Sequence, residues 1–475
     1  MSTDSRHRYE LLADVIAQAV QGGTLLPGSR APSLRRLCKD HDASLSTALQ
    51  AYQLLEDRGI LEARPRSGFY VARRPATALA PAVSSPSGTP TQISISATVQ
   101  RLLESAADPR LVPLGCAIPS AELLAGGRLD RFLARAARLK GAHYNVYTHP
   151  KGDLQLRQEI ARRALRWGQG LSPEDIIVTC GCTEALALAL KTIARPGDAI
   201  AIESPVYFGL LHILEALSLK ALELPTDPAA GVDLAALERA LKQKAVAACL
   251  LSSSYNNPLG CTMPDDRKRE ALRLLAKYRI PLIEDDVYGD IYFGPDRPKP
   301  FAAFDASGNT IYCGSFSKTI APGYRIGWLA TSRHLQAILE HKLASTMCGP
   351  ALPQAALAEF LSCGGYDGHL RRIRRQFADA MARMTRVIEQ AFPPGTRVSR
   401  PAGGFVLWVE LPQEIDTRAL LGAALARNVC FTPGDVFSAA RRYRNCLRLS
   451  CGHGWDARIE SGLRLIGELA RRAPS

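Results

Sequence analysis

The sequence has no apolar run long enough to span a bilayer; a typical one, Ala245 to Leu251, has the length of a buried strand. The polar stretch Met1 to Glu10 has no apolar segment of the secretory kind, so a cytoplasmic protein without membrane contact is expected. Paired cysteine spacing is missing as well. The twelve cysteines are scattered, and Cys180 and Cys182, the one close pair, are separated by a single residue, which suits neither a zinc site nor a disulfide framework. They read as reduced thiols, mostly buried, with no metal. No internal repeat is visible. What the chain does have is length and basic charge. Its 475 residues, 47% hydrophobic, are enough for at least one large core, and a length of this order suggests roughly two or three domains. A formal charge of +14 favours polyanions or phosphorylated ligands as partners.

A stretch rich in Pro, Ala, Ser and Thr, residues 74–92, has the composition of a flexible, partly extended linker and divides the chain. Before it, Leu12, Val15, Ile16 and Ala19 repeat at helical spacing, and Gly22-Gly23 ends that helix. A second helix starts at Ser33, whose hydroxyl caps Leu34 to Leu37. A third, with Ala48, Ala51, Tyr52 and Leu55 facing inward, runs to Gly59. The tight turn His41-Asp42-Ala43 makes a helix-turn-helix of these, and Leu61 to Val71 reads as a hairpin, the wing. After the linker, apolar strand-like runs (Ile176 to Val178, Ala199 to Ile202, Ala247 to Leu251, Pro281 to Ile283, Ile311 to Cys313) alternate with helical stretches, which predicts a largely parallel sheet covered on both faces. The expected fold class is therefore multidomain. A mainly helical module with a β-wing spans residues 1–73 and an α/β unit spans 93–475. The unit's large part covers about 145–345, and a smaller α+β part, about 365–475, has a long Arg-rich helix and strands at Phe405 to Val409 and Cys446 to Leu449.

Several strand and helix ends carry chemistry. Ser315-Phe316-Ser317-Lys318 follows a strand, and a lysine at the mouth of an α/β sheet is placed to form a Schiff base. Alone this is a weak signal, since such a lysine is more often a solvated loop residue. Other segments supply what pyridoxal phosphate requires. Asp285 ends a strand and offers the carboxylate that keeps a pyridine nitrogen protonated. Tyr288 and Asn257, the latter in Asn256-Asn257-Pro258-Leu259-Gly260, suit the phenolic oxygen. Cys182 and Thr183 open a helix whose first amides suit a phosphate, and Ser315, Ser317 and Arg325 close its other side. Tyr207 suits the ring face.

In this order the segments resemble the fold type I aminotransferases, over roughly Val112 to the C-terminus. The resemblance implies that Lys318 holds the cofactor as an internal aldimine and is the catalytic proton carrier. It also implies that Arg448, in Cys446-Leu447-Arg448-Leu449-Ser450, grips a substrate or effector α-carboxylate. Tyr147, in Tyr147-Thr148-His149-Pro150-Lys151-Gly152, would reach the phosphate in a neighbouring subunit, so a head-to-tail, domain-swapped homodimer is implied. One departure lies at Leu114 to Pro119, where Ala117 replaces the expected glycine.

Leu26-Pro27-Gly28-Ser29-Arg30-Ala31-Pro32-Ser33-Leu34-Arg35, followed by Ser46-Thr47-Ala48 and Ser67-Gly68-Phe69-Tyr70-Val71, resembles the GntR-type winged helix-turn-helix. That resemblance implies double-stranded operator DNA as a partner. Ser44, Ser46, Thr47 and Gln50 would face the major groove, and Arg30, Ser33, Arg35, Arg64, Arg66 and Gly68 would meet the backbone or minor groove. Ala31 stands where the family usually has Leu, and Leu45 where many members have Arg.

Together the halves resemble the MocR-type regulators. The expectation is a pyridoxal phosphate-dependent DNA-binding transcriptional regulator that senses the cofactor or an amino acid or amine. Two alternatives stay open on the sequence: a working amino-acid aminotransferase with an appended DNA-binding domain, favoured by the full residue set, and a cofactor-free dimerisation scaffold.

Overall fold

Backbone contacts divide the chain into Met1–Thr77 and Ala78–Ser475. The computed structural model describes residues 8–22, 24–26, 28–57, 60–64, 67–72, 79–95, 100, 104, 108–140 and 144–473. Arg66 lies outside the described residues.

In the first unit three helices, α1 (Arg8–Gln21), α2 (Leu34–Asp40) and α3 (Leu45–Asp57), precede the antiparallel strands β1 (Leu61–Arg64) and β2 (Gly68–Val71). Ser33 caps α2 as its sequence position predicts, its Oγ accepting from Arg36 N at 3.2 Å. Asp42, at φ 47°, makes the sharp turn into α3. The core comprises Leu12, Ala13, Ile16 and Ala17 of α1 with Leu37, Ala48, Ala51, Tyr52 and Leu55. The inward face of α1 is thus rotated from the predicted one: Val15 is 45% exposed. Small alanines on both helices let α1 and α3 approach closely, and that closeness selects Ala13 and Ala17 over Val15. The chain before α2 joins the wing, Ala31 N donating to Phe69 O at 2.9 Å.

The second unit is built on an eight-stranded sheet. Its strands are β4 (Ile176–Cys180), β5 (Ala199–Ser204), β6 (Lys220–Asp227), β7 (Gly231–Val232), β8 (Ala248–Leu251), β9 (Leu282–Asp285), β10 (Thr310–Ser315) and β11 (Ile326–Ala330), ordered β4-β11-β10-β9-β8-β5-β6-β7. From β10 to β6 all pairings are parallel, and β11 runs antiparallel between β10 and β4. Every residue of β5, β10 and β11 is buried, as expected of strands covered on both faces. A smaller antiparallel sheet comprises β12 (Arg397–Val398), β13 (Val406–Glu410), β16 (Cys446–Ser450) and β15 (Thr432–Pro433), while β3 (Val112–Pro113) pairs with β14 (Val429–Cys430). The helix Gly365–Ala391 leads into this part, burying Tyr366, Leu370, Ile373, Phe377, Met381, Met384 and Ile388 at three- and four-residue intervals. Among the described residues no helix is long and apolar enough to cross a membrane.

The stretch expected to be a flexible linker over 74–92 is, from Leu79 onward, an extended strap fixed to the second unit. Leu79 bridges to Arg397 of β12, and Ala82 N donates to Glu410 of β13 at 3.0 Å. Ser84 N donates to Thr226 O at 3.2 Å and Ser84 Oγ accepts from Thr226 N at 2.7 Å; Thr91 then bridges to Ala221, so both latter contacts lie on β6. Residues 74–78 lie outside the described residues. The strap satisfies open strand edges through its own backbone, a role almost independent of side-chain composition.

Candidate functional site

The carboxyl ends of β9 and β10 and the corner between β4 and the helix Cys182–Ile193 converge, the place where open α/β sheets gather their ligands. Lys318 lies in the turn after β10, and its Nζ donates to Ala117 O at 2.7 Å. Burial, reinforced by the Arg448 guanidinium, lowers the Lys318 amine from 10.5 to about 8. Asp285 is the last residue of β9, and its Oδ1 accepts a weak bond from Cys182 Sγ at 3.6 Å. Burial, with the adjacent Asp286 charge, raises its carboxyl to about 6. Each of these opposite charges partly offsets the other's shift.

Arg448 of β16 is 1% exposed. Its Nη1 donates to Asn257 Oδ1 at 3.3 Å and its Nη2 to Thr432 Oγ1 at 2.9 Å and to Gly115 O. Its Nε has no partner, and no carboxylate pairs with it among the described residues. A buried guanidinium without a counter-ion is costly, which marks the place as one for an anion. Burial accordingly lowers its pKa. Asn257 is held by its neighbour: Asn256 Oδ1 accepts from Cys261 N at 2.9 Å, and Asn256 Nδ2 donates to the buried Glu203 at 3.2 Å. Tyr288 is buried beside Asn257, its ring edge-on to Phe405 at 5.3 Å, and burial raises its phenol.

At the β4 corner, Gly181 occupies the N-cap position of the helix Cys182–Ile193 with φ 78° and ψ 172°, and no side chain caps the first amides. The positive end of that helix is left open. Arg325 lies beside it, Nη2 donating to Cys180 O at 3.0 Å. A Cβ on Gly181 would come within 2.5 Å of that guanidinium, and one on Gly327 within 2.4 Å of the Gly181 carbonyl carbon. Gly181→Ala is therefore expected to cost about 1–3 kcal/mol and to push Arg325 out of place, measurable by denaturant unfolding and by weaker phosphate binding. Ser315 Oγ is 3.0 Å from Ser317 Oγ and 3.2 Å from Ile326 O, so the two serines and the loop form one small network. Cys182 is buried and Thr183 is exposed in the first turn.

Tyr207 is 36% exposed despite flanking this buried cluster, so its ring remains open to a ligand. Its loop is pinned by Ser204 Oγ to Tyr443 Oη at 2.7 Å and by Val206 N to Phe437 O at 2.9 Å. Tyr147 is 82% exposed and takes no part in the contacts described for Lys318. In the first unit Ser44 Oγ lies 2.8 Å from both Ser46 Oγ and Thr47 Oγ1 and accepts from Thr47 N at 3.1 Å, ordering the exposed start of α3, where Gln50 is also exposed. Arg30 and Arg35 are exposed, with the Arg30 guanidinium alongside Gly68, whereas Arg64 bonds Glu62 at 2.9 Å and lies over the Tyr70 ring at 4.2 Å.

Sequence reasoning missed the part played by Gly115, Cys116 and Ala117. The carbonyls of Gly115 and Ala117 hold Arg448 and Lys318, and the Cys116 thiol lies near both cations, with burial raising its pKa. Backbone acceptors leave no residue signature; the one available clue was the unexpected Ala117.

The residues present fit pyridoxal phosphate. A depressed lysine and a strand-end carboxylate lie in one buried site, an uncapped helix start has an arginine beside it, and an orphaned guanidinium nitrogen marks a further anion position. The model of the family "Aminotransferase class I and II" matches residues 123–466, and that of "Bacterial regulatory proteins, gntR family" matches residues 8–71. The chain is 37% identical over 462 residues to the uncharacterized HTH-type transcriptional regulator YdcR of Escherichia coli (strain K12), covering 97% of this chain and 98% of that one. It is likewise 37% identical over 466 residues to YjiR of the same organism, also described as an uncharacterized HTH-type transcriptional regulator, covering 98% and 99%. Among solved structures, LysN, the α-aminoadipate aminotransferase of Thermus thermophilus complexed with N-(5'-phosphopyridoxyl)-L-leucine, is similar with a TM-score of 0.73 and 28% identity, covering 79% of this chain and 94% of that one.

Proposed function

Since the chain belongs to the aminotransferase class I and II family and carries a gntR-family DNA-binding domain, the MocR-type arrangement, we propose that it is a pyridoxal phosphate-dependent transcriptional regulator whose effector is an α-amino acid. Buried Arg448, with a free Nε and no counter-ion among the described residues, carries this reading. A protein that registered only the cofactor would gain nothing from a buried fork suited to a carboxylate.

In this reading Lys318 holds the cofactor, Asp285 takes its pyridine nitrogen, and Tyr288 and Asn257 take its phenolic oxygen. Tyr207 covers the ring. Cys182 and Thr183 amides, Ser315, Ser317 and Arg325 take the phosphate, with Tyr147 of a second copy completing that end. When bound, pyridoxal phosphate supplies an electrophilic carbon for an amine and an electron sink. The protein's own contribution is protonic and electrostatic. Lys318 is partly neutral near pH 8, so its lone pair is available without an external base, and Asp285 becomes a full carboxylate once a cation faces it. The rate of cofactor uptake is therefore expected to rise with pH and level off above about 8, where an unperturbed lysine would level off only above 10.5. Stopped-flow absorbance of the cofactor-free protein measures this.

DNA binding is the output. Operator affinity of the purified protein is expected to change when pyridoxal phosphate is loaded and again when the right amino acid is added; identical affinity under all three conditions overturns the regulator. The second reading is an aminotransferase with an appended DNA-binding domain, which the joint presence of Lys318, Asp285 and Arg448 in one site favours. Sustained conversion of an amino acid and an oxo acid supports it, and a spectral change that stalls after one turnover supports the sensor.

A further inference from the structure

A second charged surface lies away from Lys318, and neither Lys318, Asp285 nor Arg448 contributes to it. It is a groove of about 1150 Å³ between the loop Tyr292 to Lys299, the segment Arg163 to Trp167 and the first half of the helix Gly365–Ala391. We propose that this groove binds the sugar-phosphate backbone of DNA, giving the aminotransferase-like unit its own DNA contact in addition to the winged helix.

The charge distribution points to it. Residues 1–77 hold eleven Lys and Arg against eight Asp and Glu, so only +3 of the formal +14 belongs to the DNA-reading unit and +11 belongs to the rest. Within the groove, the inner cations Arg297 and Arg163 and the exposed Arg166 are already paired: Arg297 Nη2 is 2.6 Å from Asp286 and its Nε 2.8 Å from Asp290, while Arg163 and Arg166 share Asp367 at 3.0 and 2.8 Å. The rim differs. Lys299, Arg371 and Arg375 are exposed, and none has a carboxylate within ion-pair distance among the described residues. Arg371 and Arg375 are one helical turn apart, about 6 Å, on the same side of their helix. Arg374 beside them has its Cζ over the Tyr292 ring, 3.5 Å from the centroid, and donates to Asp290 O at 2.7 Å, which fixes that stretch of the rim.

This arrangement selects the occupant. A compact anion such as free phosphate would need converging cations on the floor, and those are spoken for by Asp286, Asp290 and Asp367. Free cations strung along a rim suit an extended polyanion that contacts each in turn, and the gntR-family domain already brings duplex DNA to this chain.

The inference rests on the chain being a DNA-binding regulator, and the test separates the two claims. The full-length protein is titrated with a long duplex of arbitrary sequence at several salt concentrations, as wild type, as Lys299→Ala/Arg371→Ala/Arg375→Ala, and as Arg30→Ala/Arg35→Ala in the winged helix. Absorbance of bound pyridoxal phosphate checks that each variant is folded. The groove variant is expected to weaken binding at low salt and to reduce the slope of log K against log salt by about 0.9 for each phosphate no longer neutralised. Arg371→Glu/Arg375→Glu is expected to weaken it further. If the winged-helix variant loses affinity and slope while the groove variants keep both, the groove proposal falls and the regulator stands; if neither set changes DNA binding, both fall. Competition by inorganic polyphosphate for the groove, with DNA affinity unchanged by the groove substitutions, also overturns the proposal.

Discussion

Lys318→Ala is expected to abolish covalent retention of pyridoxal phosphate, and with it the cofactor's effect on operator affinity, while raising the stability of the cofactor-free protein near neutral pH. The first part follows from the proposed attachment of the cofactor at this amine; the second follows from its electrostatics. In the fold the amine sits at about 8 against 10.5 for a free lysine, so the charged form is disfavoured there by burial and by Arg448. Below about pH 8 the amine is protonated in both folded and unfolded chains, and the destabilisation is complete. Between about 8 and 10.5 the folded protein releases its proton while the unfolded chain still holds one, so wild-type stability rises through that window. The advantage of the alanine variant is thus largest at neutral pH and closes toward pH 10.5. Thermal unfolding across this range, with absorbance of the retained cofactor measured in parallel, checks both parts. Wild type gaining no stability above pH 8 would show that Lys318 carries no buried charge.

Arg448→Ala is expected to remove discrimination between an α-amino acid and the amine lacking its carboxylate. Charge-assisted hydrogen bonds of this kind contribute roughly 1.5–3 kcal/mol, so the preference for the amino acid falls by about 10- to 150-fold. Arg448→Lys is expected to restore little of it, because Asn257, Thr432 and Gly115 hold a planar fork and an ammonium offers no such geometry. A second consequence separates this from a general loss of structure. Arg448 is the largest charge contribution to the depressed Lys318 amine, so removing it moves the pH at which cofactor uptake levels off upward from about 8. Spectral titration with paired amino acids and amines reads the first effect, and the pH profile of uptake reads the second. If selectivity survives the alanine substitution, the carboxylate is held elsewhere.

The parts of the site legible in the sequence are those whose chemistry resides in a side chain at an element boundary. Lys318 after β10, Asp285 ending β9, Asn257 in its Pro-containing turn and Arg448 on β16 are all such residues, and the fold brings them together. Patterning also revealed the largely parallel sheet and the wing, since full burial produces unbroken apolar runs in β5 and β10. Backbone work escaped. The Gly115 and Ala117 carbonyls that position both cations have no composition to betray them, and the strap reads as a linker because its bonds to β6, β12 and β13 come mainly from main-chain groups. On α1, periodicity alone did not distinguish Val15 from Ala13 and Ala17, where close helix packing prefers the smaller residue. The rim cations of the groove were illegible because their isolation from carboxylates arises only from the tertiary arrangement.

The strap also ties the two parts of the second unit to each other. Since the strap is bonded at once to β12 and β13 of the small part and to β6 of the large sheet, any shift between those parts has to be taken up within residues 79–91.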